Sequence, residues 1–246
     1  MTSFKFLLFF PAMSSHLFSP TGQPLSKDGS VHITNEFYNT LISSIGAVLS
    51  VIGSYFLIVP AVTAGKTLHV IGFSIYAFGV FLVFITSALH HGVNSSPRVE
   101  AALRHVDYLA IFVKIPATMT PFCLVLIPNR FGFFLLSLVW GISLFGLILK
   151  LSRPHLAKNV TLLFYVGLGI LGGTIIFPTF QELTGLTIFL ILLGGFFYLC
   201  GAVIYYKEKP NPFPGSFGFH EIWHLCVLFG SATFFGVIFC YLLPHP

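Results

Sequence analysis

Residues 67–91 read TLHVIGFSIYAFGVFLVFITSALHH. The stretch holds no Asp, Glu, Lys, Arg or Pro. A helix needs about 20 apolar residues to cross the hydrocarbon of a bilayer, and a helix bonds its own backbone groups where no water can. This stretch therefore predicts a membrane-spanning helix over about 67–88, closed by Ser87, His90 and His91.

Six further segments of similar length and character follow or precede it, at about 38–60, 107–127, 131–150, 159–179, 186–206 and 220–243. Gly and Pro recur inside them, as they do in spanning helices. Of the 246 residues, 8% are charged and 56% are apolar, and 30 are Phe. Mean hydropathy is +0.93. An ordinary soluble domain carries about 25% charge, so this chain cannot cover a water-facing surface, and disordered and collagen-like classes are excluded as well. The expected fold is an all-α bundle of seven transmembrane helices.

The chain divides into an N-terminal tail, 1–36, rich in Ser, Pro, Lys, Asp and Gly, and a membrane domain, 37–246. In the tail, Phe6 to Phe10 form an apolar patch behind Lys5. Pro11 and the lack of a small-x-small site argue against a cleaved signal, and an interfacial anchor is the equal alternative. The four cysteines all lie in apolar segments and read as small buried residues rather than a disulfide framework. Net charge is +5 with scattered basic residues, which excludes the basic stripe of a nucleic-acid binder. Lys5, Lys27, Arg98, Arg104, Lys150, Arg153, Lys158, Lys207 and Lys209 fall on one side of the expected spans; only Lys66 and Arg130 fall on the other. The bias predicts a cytoplasmic N-terminus and an external C-terminus in a multi-pass membrane protein.

Ionisable residues at membrane depth are costly and usually functional. Span two ends in Ser87, His90 and His91, span three opens with His105 and Asp107, and span seven opens with His220, Glu221 and His224. All are expected at one membrane face. His220 and His224 are four apart and share a helix face, a spacing that suits two ligands of one metal. A third imidazole would complete an open catalytic zinc site. His90 and His91 point about 100° apart, so only one of them is expected to face the bundle; His91 with the later pair would give three imidazoles. Asp107 is expected in the first turn of its helix, where the dipole favours an anion; its plainer role is a cap or a pair with Arg104. Lys114 is the single basic residue inside a span. Its plainer role is to bond helix carbonyls freed by Pro116, and its sharper role is to bind an anionic group of a lipid.

Taken in order, Ser87-x-x-x-His91, Asp107, Thr118-Met119-Thr120-Pro121-Phe122 and His220-Glu221-Ile222-Trp223-His224 resemble the hemolysin III family, related to the progestin and adiponectin receptors. Pro212 to Phe219 resembles it too, and the likeness covers about 36–243. It implies seven spans, a cytoplasmic N-terminus, and zinc held by His91, His220 and His224 with Asp107 and Ser87 beside it. Two departures stand out. Ser43 occupies a place where the family often has His, and Lys114, Pro116, Ala117 and Met119 interrupt the usual pattern after Asp107.

A site at headgroup level between apolar helices points to a lipid substrate, and the likeness to the related receptors implies hydrolysis of an acyl amide, with a phospholipid or fatty-acid derivative as the alternative. Asp107 would orient and deprotonate water, and Ser87 would donate to an oxyanion. The rival is a lipid-sensing receptor or transporter that holds zinc without turnover. A retinal pump is excluded by the absence of Lys in span seven. A G-protein-coupled receptor would invert the charge bias, and a haem carrier would need facing axial ligands.

Overall fold

The computed structural model describes residues 26–246. The Phe6–Phe10 patch lies outside the described residues. The helices are α1 (Phe37–Thr63), α2 (Thr67–Gly92), α3 (Pro97–Pro121), α4 (Arg130–Ser152), α5 (Lys158–Gly173), the single turn α6 (Ile176–Thr179), α7 (Gly185–Lys207) and α8 (Phe219–Val237). α3 runs on as a π-helical turn, Phe122–Leu126, and α8 as another, Ile238–Leu242. With α5 and α6 counted together, seven helices among the described residues are long and apolar enough to cross a membrane. The protein is a multi-pass membrane bundle.

Six spans lie within four residues of their expected ends, but the third begins at Pro97, ten residues early. Proline at the first helical position has its φ already set for a helix, and its missing N–H costs nothing there. Arg98, Glu100 and Arg104 hide these first turns from a hydropathy reading. Asp107 consequently lies about 15 Å along the helix rather than in its first turn. Neither the dipole argument nor the capping role applies to it. Arg104 does not supply its ion pair; its Nη1 donates instead to the Lys27 carbonyl at 3.3 Å.

α3 is the centre of the bundle. Within its most apolar 18 residues 78% are buried, against 28% to 50% in the other spans. Two glycines of α2 let it come close. A Cβ on Gly72 would stand 2.9 Å from the Pro121 Cα, and one on Gly79 would stand 2.5 Å from the Ala117 Cβ. Small residues at helix contacts are how membrane bundles gain packing without a hydrophobic drive between helices. Pro116 removes the donor for the Phe112 carbonyl, and Ser143 Oγ from α4 donates to that carbonyl. The plainer role expected of Lys114 is thus filled by another residue. Phe134, Phe145, Leu163, Leu186 and Phe189 are exposed on the outer surface, where acyl chains are the natural solvent.

Residues 26–36 are expected as tail, yet they lie across one end of the bundle. Lys27 Nζ donates to the carbonyls of His91 (3.1 Å) and Val93 (2.9 Å) and to Asn94 Oδ1 (2.8 Å), so it caps the C-terminus of α2. Tyr108 Oη donates to the Asp28 carbonyl at 3.3 Å.

Candidate metal centre

The C-terminal turn of α2 and the N-terminal turn of α8 meet beneath this segment. α8 starts where it does because Asn211 Oδ1 accepts from the Phe219 N–H at 3.0 Å and Glu221 Oε2 accepts from the Gly218 N–H at 2.7 Å. These bonds satisfy donors that a helix start leaves open. They bring His220 and His224 opposite His91.

The three imidazoles converge through their Nε2 atoms. His91 Nε2 lies 3.3 Å from that of His220 and 3.2 Å from that of His224. All three residues are buried. A tetrahedral ion with nitrogen ligands at about 2.05 Å would hold them about 3.3–3.4 Å apart. The cluster therefore has the spacing of a metal site.

The far sides of two rings face carboxylates. His91 Nδ1 donates to Glu36 Oε2 at 2.6 Å. His220 Nδ1 lies 2.9 Å from Asp28 Oδ2, at ion-pair distance though off the line of a good hydrogen bond. A proton held at Nδ1 leaves the Nε2 lone pair free. Neutral rings arranged this way point lone pairs at one another, an arrangement that a cation relieves. Burial alone would raise the Asp28 and Glu36 carboxyls. With its ring protonated, as it can be when no ion is bound, His220, together with Ser26 and Ser30, holds Asp28 well below the usual carboxylate range, and His91 and Asn39 lower Glu36.

Glu36 sits at the start of α1 with φ 61°, in the left-handed region that Glu rarely enters. Asn39 Nδ2 donates to Glu36 Oε2 at 3.0 Å and to Glu221 Oε1 at 2.9 Å. Glu221 is fully buried and both its oxygens are engaged. In a metalloprotease H-E-x-x-H helix the Glu is the general base. Here the same spacing, His220-Glu221-x-x-His224, uses its Glu to clamp α8 to α1.

Asp107 is buried and accepts from Thr86 Oγ1 at 3.3 Å. Ring nitrogens of His90 and His91 and a carboxylate oxygen of Asp107 lie within 4.8 Å of one another. His90 is not turned out of the bundle, as its 100° offset implies. It is 2% exposed, with its ring 4.5 Å from that of His91, because α2 is enclosed on more than one face at this end. Ser87 Oγ is 2.9 Å from Ser43 Oγ, so the departure at Ser43 puts a hydroxyl beside Ser87.

Asp107, Ser87 and His224 border a cavity of about 390 Å³ with mostly apolar walls between α2, α3, α5, α7 and α8. Lys114 lines it, donates to Tyr198 Oη and stands 3.6 Å from the centre of that ring. None of the ion pairs among the described residues includes Lys114. A second cavity of about 270 Å³ shares Asp107 and His224 with the first and opens among Asp28, Lys150, Tyr205 and Lys158.

The structure thus gathers His91, His220, His224, Asp107 and Ser87 in one neighbourhood and sets Lys114 deeper in the same cavity. Sequence reasoning missed Asp28, Glu36 and the clamp made by Glu221. One signal was present: the chain has two Asp, and both reach this end of the bundle.

Residues 31–235 match the family described as Haemolysin-III related. A hemolysin-3 from Bacillus cereus is 34% identical over 212 residues, which cover 86% of this chain and 94% of that protein. A hemolysin-3 homolog from Bacillus subtilis (strain 168) is 31% identical over 214 residues, covering 87% and 97%. The chain belongs to the hemolysin III family.

Proposed function

We propose, with membership of that family as the premise, that the chain is a zinc-dependent membrane hydrolase acting on a lipid acyl amide or a related acyl lipid, with membrane lipid homeostasis as its outcome. The observation that carries this reading is the convergence of three imidazole Nε2 atoms beside a largely apolar cavity that Asp107 and Ser87 border. His91, His220 and His224 would hold the ion. Zinc bound there supplies Lewis acidity and draws the pKa of a water toward about 7.

The chain's own residues do the rest. Asp107 accepts a proton from the attacking water and returns it to the leaving amine. Ser87 donates a hydrogen bond to the oxygen that gains charge as the acyl carbon is attacked. The apolar cavity holds the acyl chain and excludes water, and Lys114 meets an anionic group of the lipid deeper in. On the basic-residue bias, the N-terminus is inside, the C-terminus is outside, and the site opens toward the cytoplasmic leaflet of a bacterial plasma membrane.

A second reading is a lipid-sensing receptor or transporter with zinc that does not turn over. The grouping of His90, His91 and Asp107 favours it, since a carboxylate entering the coordination sphere would close the open position. Purified protein tests both readings by metal analysis followed by incubation with vesicles containing acyl-amide lipids. About one zinc per chain and release of fatty acid and amine, both lost in the His91→Ala/His220→Ala/His224→Ala protein, is the expected result. Full zinc in that variant overturns the ligand assignment. Zinc without any acyl release favours the receptor.

A further inference from the structure

We infer that the segment before α1 serves the metal centre as its outer support: Asp28 and Glu36 are positioning residues that set how tightly His220 and His91 hold the ion. The inference rests on the zinc reading above and goes beyond it, since neither carboxylate touches the Nε2 cluster.

The argument starts from the two far-side contacts. Glu36 Oε2 accepts from His91 Nδ1 at 2.6 Å, and Asp28 Oδ2 stands 2.9 Å from His220 Nδ1. A carboxylate on the far nitrogen of a ligating imidazole fixes the ring's tautomer and orientation and makes the near nitrogen more basic. Here the two supports reach histidines on different helices, α2 and α8, from one short stretch of chain.

That stretch is held in place at several points. Lys27 Nζ binds the end of α2 through the carbonyls of His91 and Val93. Arg104 Nη1 and Tyr108 Oη from α3 donate to the carbonyls of Lys27 and Asp28. Ser26 Oγ donates to Asp28 Oδ1 and the Ser30 N–H donates to the same oxygen at 3.1 Å, so the carboxylate's other oxygen is left for His220. Asn39 Nδ2 steadies Glu36 at 3.0 Å. Glu36 takes up the left-handed conformation, φ 61°, while making its bond to His91. A non-glycine residue held there is strained and persists only where its surroundings demand it.

The test uses full-length protein in detergent, with zinc affinity measured by competition against a chromophoric chelator. Asp28→Asn and Glu36→Gln keep the shape of each side chain and remove its charge. Each is expected to weaken zinc binding about 10–100-fold, with the stoichiometry unchanged. Glu36→Gln keeps one oxygen for both Asn39 and His91, so its metal-free unfolding temperature is expected to stay near that of the parent, whereas Asp28→Asn turns an NH2 toward one of its donors and its zinc affinity is read at a temperature where it is folded. A merely structural role would lower the unfolding temperature and leave the affinity of the folded protein alone. Parent-like zinc affinity in both variants overturns the inference while the zinc reading stands. A parent protein that takes up no zinc removes both.

Discussion

Replacing Glu221 by Gln separates a structural clamp from a catalytic base. The carboxylate accepts at both oxygens, from Asn39 Nδ2 at 2.9 Å and from the Gly218 N–H at 2.7 Å, and it is fully buried. Gln has the same shape but only one accepting oxygen. Whichever way its amide turns, an NH2 group meets one of two donors. Turning the Asn39 amide does not rescue the bond, because the same Nδ2 also donates to Glu36 Oε2 at 3.0 Å. Losing a hydrogen bond to a charged acceptor costs about 1.5–3 kcal/mol, which in a chain of this size lowers the unfolding temperature by roughly 3–12 °C. Unfolding of purified protein in detergent, followed by tryptophan or thiol-probe fluorescence, measures this directly. Asn39→Ala should cost a similar amount, and the double variant should cost clearly less than the two combined. An unchanged unfolding temperature in Glu221→Gln, with hydrolysis lost, would refute the clamp and make Glu221 the base.

Asp107→Asn is expected to retain zinc and to lose hydrolysis by about 10²–10⁴-fold; joint loss of zinc and activity would place Asp107 on the metal. Lys114→Met should leave zinc content intact and impair the use of anionic lipids more than neutral ones, read by mass spectrometry of mixed vesicles. Equal loss for both lipid classes would make Lys114 purely structural. Ser143→Ala strands the Phe112 carbonyl freed by Pro116 and should destabilise the protein by about 1–3 kcal/mol with zinc binding preserved. A neutral effect on unfolding would show that the carbonyl finds another donor.

The seven spans were legible in the sequence because the bilayer imposes a one-dimensional rule. A helix that meets hydrocarbon must be apolar for about 20 residues, whatever its neighbours are. The rule failed at the start of α3, where charged residues on turns outside the apolar run hid a helix that Pro97 begins. The histidine triplet was legible in part: His220 and His224 share a face by helix geometry alone, whereas the choice of His91 needed the family likeness. The 100° offset between His90 and His91 implied that only one of them faces the bundle. It failed on burial, since α2 is covered at that end on both faces.

Spacing along the chain determined which helices exist and which polar residues end them. Distances across the chain were decided by the tertiary fold. Asp28 is 192 residues from His220 and Glu36 is 55 from His91, and no periodicity connects either pair. Glu221 looks like the base of a metal-binding helix until Asn39, on a helix 182 residues away, is seen to occupy it. Local sequence governs backbone conformation and burial, because those depend on the next few residues and the solvent. The partner of a buried charge depends on which helices pack together, and only the assembled bundle brings that partner within 3 Å.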